Sequence, residues 1–316
     1  METYSFIGSD KNAGKTTAFN FVYQDLIKSG NQICLTSIGI NGEFADTYEG
    51  HEKPLIKVAR DSNFVTSCDH LNELTGKYKI IHIFPKSTFG KSYLFGKTLI
   101  DTEIVLEGPN NGKDILKIKK VIKFFIPDTF LLIDGSIDRQ FLGMPEISDG
   151  FYFSFLVTER AEQINKANDI LKSIKLAICP PKKRELIIGN RDKNTKSLII
   201  DDEGNLLYRG TEIPFMDNSL KDNIKEFKDK NLIIYINGAL SKSFYGFLMF
   251  FKNISIVLDN FTQYQNVSVS NRFIKNENIF ILNEVIIKKI FLKQEAHFTP
   301  EFPENIPVQN IFRRAI

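Results

Sequence analysis

Lys15 and Thr16 stand directly behind a glycine in the run Gly8-Ser9-Asp10-Lys11-Asn12-Ala13-Gly14-Lys15-Thr16-Thr17. Residues of these types, in this order, suit a dense anion. A loop that wraps backbone N–H groups around an anion, at the positive end of a helix, neutralises it without many basic side chains. Gly14 has no Cβ, so the backbone can approach closely. Lys15 would reach the β- and γ-phosphates of a nucleoside triphosphate, and the Thr16 hydroxyl would ligate Mg²⁺. Thr17 would lie one residue into the helix, near the α-phosphate. Asp10, Lys11, Asn12 and Ala13 form the body of the loop. The usual spacing has a glycine where Ser9 stands; here Gly8 comes one residue earlier.

Two elements must position such a loop. Tyr4-Ser5-Phe6-Ile7 is an apolar run that predicts a strand. After the loop, Phe19, Val22, Leu26 and Ile27 recur at helical spacing as far as Lys28, and Gly30 is a natural stop. The competing reading is a chance Gly-Lys-Thr on a surface loop. The order strand, loop, helix argues against it.

Hydrolysis of a triphosphate needs a carboxylate near the metal and a group that places a water. Parallel α/β sheets bind ligands at the carboxyl ends of their strands. Glu107 and Asp134 each end an apolar run and are followed by glycine. Both are therefore candidate catalytic carboxylates. Glu107 is the better one for the metal or its water shell, because Gly108-Pro109-Asn110 would turn the chain sharply there. The plainer reading of either acid is a cap on the next element. Asp10 faces the expected anion, so it either meets the metal, meets a substrate amine or turns outward. Lys11 adds charge against phosphate or is solvated.

Glu43, Asp46, Glu49 and His51 lie in a polar stretch of the kind that can sense a γ-phosphate. Charge-rich loops are more often simply solvated. Arg139, in Asp134-Gly135-Ser136-Ile137-Asp138-Arg139, could reach a phosphate, with a surface arginine as the default. Gly90-Lys91-Ser92 lacks a preceding glycine loop and reads as a partner-facing loop.

The chain has 316 residues, a net charge of +3 and scattered basic residues. That balance disfavours nucleic acid as the main partner. Cys34, Cys68 and Cys179 lack metal-ligand spacing and read as free thiols of a reducing, cytoplasmic compartment. No signal peptide is visible, and no apolar run is long enough to span a membrane.

The first ~180 residues alternate strand and helix patterns, which predicts an α/β fold with a mostly parallel sheet flanked by helices. Pro180-Pro181 is the candidate boundary. Residues 1–180 would form a nucleotide-binding domain of the P-loop NTPase type. Residues 181–316 would form a smaller α/β region, partner-binding or accessory, with a hairpin around Asp201-Asp202-Glu203-Gly204.

The loop Gly-Ser-Asp-x-x-x-Gly-Lys-Thr resembles that of dethiobiotin synthetase, in the MinD/ParA-like branch of P-loop proteins. The branch's signature lysine is replaced by Asp10, which argues against a partitioning ATPase. More of the chain resembles the small ATP-binding subunit of the lysine 5,6-aminomutase reactivase. The residues that carry this are the loop, Thr36-Ser37-Ile38-Gly39-Ile40-Asn41-Gly42-Glu43, Glu49-Gly50-His51-Glu52-Lys53-Pro54, Leu106-Glu107-Gly108-Pro109-Asn110 and Asp134 to Arg139. They occur in order over about the first 140 residues; the last third carries no matching motif.

The resemblance implies an ATPase whose partners are an adenosylcobalamin-dependent aminomutase and a larger reactivase subunit. A dethiobiotin-synthetase-like ligase and a non-catalytic nucleotide-binding scaffold are the alternatives. No guanine-reading tetrapeptide of the N-K-x-D kind is suitably placed, so ATP is the expected nucleotide, with Mg²⁺.

Overall fold

The computed structural model describes residues 1–10, 12–41, 56–135, 146–264, 278–284, 286–295 and 302–312. Lys11, the polar stretch with Glu43, Asp46, Glu49 and His51, and the segment Ser136 to Arg139 lie outside the described residues.

The chain opens with β1 (Glu2–Gly8), α1 (Lys15–Lys28), β2 (Ile33–Ser37), β3 (Gly39–Asn41), β4 (Ile56–Val58) and β5 (Asn63–Ser67). It continues with β6 (Tyr78–Phe84), α2 (Lys86–Phe89), β7 (Tyr93–Thr98), β8 (Thr102–Ile104), β9 (Leu106–Gly108), α3 (Gly112–Phe125), β10 (Phe130–Asp134) and β11 (Gly150–Val157). Then come α4 (Ala161–Ile174), β12 (Ala177–Ile178), α5 (Pro181–Asn190), β13 (Ser197–Asp201), β14 (Leu206–Gly210), α6 (Asn218–Glu226), β15 (Leu232–Ile236), α7 (Lys242–Leu248) and β16 (Ile254–Leu258). The last described strands are β17 (Ile279–Ile281), β18 (Ile287–Gln294) and β19 (Val308–Gln309).

The molecule is mixed α/β. Its larger sheet runs β19-β18-β11-β1-β10-β2-β5-β7-β6. Every pairing from β19 to β5 is parallel, and β7 alone runs the other way, antiparallel to β5 on one side and to β6 on the other. β1 sits in the middle and is buried along nearly its whole length. That explains its uninterrupted apolar run, since a central parallel strand is covered on both faces.

Helix α1 is held against this sheet by aromatic rings. Phe6 meets Phe19 edge-on at 5.1 Å and stacks on Tyr152 at 4.9 Å. Tyr152 stacks on Phe291 at 5.9 Å, and Phe291 meets Phe21 at 5.7 Å. The row crosses β1, β11 and β18 beneath the helix, and aromatic pairs add to their area burial in such geometries. The Tyr23 hydroxyl also accepts the Ala59 N–H at 2.8 Å and bonds Ser62 at 2.7 Å. The direction of α1, and so of its first turn, is fixed from both sides.

The apolar run that ends at Glu107 forms two short strands rather than one. β8 pairs with β4 and β9 with β3, with Val105 between them. Thr66 fills the break: its hydroxyl donates to the Val105 carbonyl at 2.8 Å and accepts the Glu107 N–H at 2.9 Å. β7 begins at Tyr93, directly after Gly90-Lys91-Ser92, and pairs antiparallel with β5.

The chain divides into two compact units, Met1–Ile164 with Ile286–Ile316, and Asn165–Val285. This corrects the boundary expected at Pro180-Pro181. Pro181 sits in the first turn of α5, where a missing N–H costs nothing. Before it, β12 already pairs with β17 in the second sheet, which runs β12-β17-β16-β15-β13-β14. At the other end, residues 286–316 return to the first unit through β18 and β19. The hairpin of β13 and β14 is antiparallel, as the acidic glycine turn predicted.

Replacing Phe6 by Ala should cost ~3–5 kcal/mol of unfolding free energy, measured by urea denaturation. A loss under ~1 kcal/mol would mean that the aromatic row does not anchor α1.

Candidate functional site

The loop joins the end of β1 to the start of α1, as the sequence order requires. Asn12 and Gly14 both take left-handed backbone conformations, at φ 58° and 84°. Asparagine and glycine tolerate that region best. Gly14 is the N-cap of α1, its carbonyl accepts the Ala18 N–H at 3.0 Å, and no acidic residue lies in the first turn. The helix start therefore presents its positive end with no acidic side chain of its own first turn to oppose an anion.

Ser9 is buried, and its position explains why it is not glycine. Its N–H donates to the Ser154 carbonyl at 2.9 Å, and its hydroxyl accepts the Leu156 N–H at 2.9 Å. The side chain thus extends the β1–β11 ladder by one rung where the backbone has already turned away. Gly8 clears space for a different residue. A Cβ there would lie 2.9 Å from Lys15 Cγ and Cδ and 3.1 Å from Nζ. The Lys15 stem therefore runs back over the end of β1 toward the loop's mouth.

Asp134 ends β10 at the rung shared with Phe6 of β1 and Ser37 of β2. It is buried, and Thr16 Oγ1 donates to its Oδ2 at 3.3 Å. Burial raises its carboxyl to about 6, while the Lys15 charge, the Thr16 hydroxyl and the Gly135 N–H pull the other way. The structure thus brings together Lys15, Thr16 and Asp134, three of the residues the sequence singled out. A hydroxyl beside a carboxylate, both oxygen donors, next to a lysine suits a hard cation bridging to phosphate. Among the described residues there is no cluster of three or more His, Cys, Asp or Glu side chains able to hold a metal by themselves. A cation here would need oxygens from its anion or from water. Asp10 contributes its carbonyl to the loop's tight turn, accepting the Ala13 N–H at 3.4 Å.

Glu107 lies at the same end of the sheet but in different company. The Ser37 hydroxyl donates to the Leu106 carbonyl at 3.0 Å, which ties β9 to the end of β2. Gly108 has to be glycine, because a Cβ there would run into the Ser37 carbonyl. That close approach, and not only a sharp turn, accounts for the Glu-Gly pair. Lys91 Nζ bonds Glu107 Oε1 at 2.7 Å, and His70 Nε2 bonds Oε2 at 2.7 Å. Lys91 also bridges to Asp69 at 2.8 Å, and these carboxylate contacts, Asp69 first, hold its ammonium well above the ordinary lysine range.

This reverses the ranking of the two acids. Asp134 is the carboxylate against Thr16, whereas both Glu107 oxygens are taken by Lys91 and His70. Lys91, expected on a partner-facing loop, is part of this ion-pair group. Sequence reasoning missed His70. The signal available was Cys68-Asp69-His70 immediately after β5, at the end of the sheet where ligands bind.

The three cysteines are free, and burial pushes the Cys34 thiol up. Among the described residues no helix is long and apolar enough to cross a membrane. Comparison with family models, with curated proteins and with solved structures finds no match to this chain.

The Asp134 value gives a signed expectation. A carboxyl raised in the folded state favours folding below its unfolded value, and that contribution is lost as pH rises through about 6. In the nucleotide-free protein, Asp134→Asn should match wild type near pH 4 and exceed it by roughly 3 kcal/mol above about pH 7. Urea denaturation across that range checks it. A difference independent of pH would place the buried charge elsewhere.

Proposed function

We propose that the chain is a Mg²⁺-dependent ATPase of the P-loop type. The observation that carries this reading is the Thr16 hydroxyl 3.3 Å from buried Asp134, at the N-terminus of α1 behind left-handed Gly14. In this reading the loop's N–H groups and Lys15 take the β- and γ-phosphates. Thr16 and Asp134 hold the magnesium, directly or through water, and the metal supplies neutralisation of charge on the phosphates. Lys15 opposes the proton on Asp134, and a dication beside it would favour the ionised carboxylate further. Glu107, held by His70 and Lys91, stands apart from this group and takes no step in this reading.

The turnover serves a protein client. What supports this is the ordered resemblance to the small ATP-binding subunit of an aminomutase reactivase, together with a second compact unit at Asn165–Val285 beyond what nucleotide chemistry needs. The client would be an adenosylcobalamin-dependent aminomutase, with a larger subunit completing the reactivase. ATP can change the client only if the nucleotide states bind it with different affinity.

Lys15→Ala should abolish MgATP binding in a calorimetric titration and leave the circular dichroism spectrum unchanged. Unaltered affinity would remove the loop from the site. Separately, adding an adenosylcobalamin aminomutase inactivated by damaged cofactor should raise ATP turnover several-fold. Turnover that rises only with a small acid or amine would replace the client protein by a ligase substrate.

A further inference from the structure

The site is closed from a direction that the sequence motifs do not touch. After β18 the chain returns as β19, where Val308 and Gln309 register with Ile290 and Phe291, and Lys289 Nζ bonds Gln309 at 3.0 Å. Beyond β19 the Asn310 side chain accepts the Phe312 N–H at 2.9 Å, which turns the chain. The turn lays the Phe312 ring on Gly14: a Cβ built at Gly14 would collide with Cζ and Cε1 and lie 3.3 Å from Cε2. From the end of β18, Lys293 Nζ donates to the Asn12 carbonyl at 3.0 Å. The two left-handed residues of the loop are thus each gripped by the returning segment, one through a charge and one through a ring.

The ring is only partly buried. It packs with Ile311 against the core beneath α1. A triphosphate held by the loop and the first turn of α1 must send its nucleoside out past that turn. The sugar and base need an apolar surface there, and an aromatic face serves any base because every base has a π-face. We propose that Phe312 is the nucleobase platform of this site; the inference rests on the nucleotide reading above. It carries a specificity consequence. Stacking reads no hydrogen-bond edges, so the ring itself holds ATP and GTP alike, and a preference for ATP would have to come from other residues.

The test compares full-length wild type, Phe312→Ala and Phe312→Trp, titrated with MgATP, MgGTP and magnesium tripolyphosphate, which has phosphates and no base. Phe312→Ala should lose roughly ten- to hundred-fold in affinity for both nucleotides and keep its affinity for tripolyphosphate. The chain contains no tryptophan, so Phe312→Trp is a single-tryptophan reporter. It should retain nucleotide affinity, and its fluorescence should respond to ATP and not to tripolyphosphate. Equal losses for all three ligands would make the ring a buttress of Gly14 and overturn the proposal. Tighter ATP binding by Phe312→Ala would make it a plug, with the same consequence. Wild type that binds neither ATP nor tripolyphosphate would sink the nucleotide reading itself, a result distinct from loss of the base effect alone.

Discussion

A carboxylate buried at the end of a central strand is the constraint on which this architecture turns. Asp134 lies between β1 and β2 at the last rung that β10 shares with each of them. Its burial is costly unless charge or hydrogen bonds are brought to it. Thr16 and Lys15 are what the fold brings, and both come from the first turn of α1. That turn can reach Asp134 only because the helix is pinned along its length by Phe19, Phe21 and Tyr23. The aromatic row is therefore part of the site's electrostatics. It sets where a positive helix end and an ammonium stand relative to a buried acid.

Backbone approach is the second constraint. Gly8 makes room for the stem of Lys15, Gly14 for the Phe312 ring, and Gly108 for the Ser37 carbonyl. In each case the element that needs the space belongs to a different part of the chain. Only Gly14 also needs a left-handed backbone among these three. Gly14 and Gly108 mark where segments distant in sequence converge on one end of the sheet.

The loop was legible because its information is local. Strand, glycine, lysine, hydroxyl and helix follow one another within one short segment, and the physics of each depends on its neighbours. The parallel sheet was legible for a similar reason, since alternating strand and helix patterns leave few alternatives. What was not legible depends on pairing across distance. Ser9 reads as a departure from the glycine spacing until Leu156 is placed beside it. Glu107 reads as a strand-end acid open to a metal until Lys91 and His70, from two other turns, take its oxygens. The last third carried no motif, yet Lys293 and Phe312 from that third contact the loop directly. Their chemistry is one amine and one ring, and neither type is informative without its partner.

The position of β18 has a consequence for how the first unit is completed. β11 is buried almost throughout, and its two neighbours are β1 and β18. One neighbour precedes it in the chain, while the other follows only after the whole of Asn165–Val285. Until β18 arrives, β11 is an edge strand with an apolar surface and unpaired backbone groups, the kind that native sheets avoid exposing. Non-local pairing of this sort is slow because the loop it closes is long. Here the intervening residues form a compact unit of their own, with a core built from β13, β15, β16 and the helices α6 and α7. Prior folding of that unit would shorten the effective loop that pairing of β18 with β11 has to close. The same pairing brings Lys293 and then Phe312 to Asn12 and Gly14. The strand that closes the sheet is also the strand that completes the surroundings of the loop, so a first unit lacking its return segment would have neither a covered β11 nor a finished site.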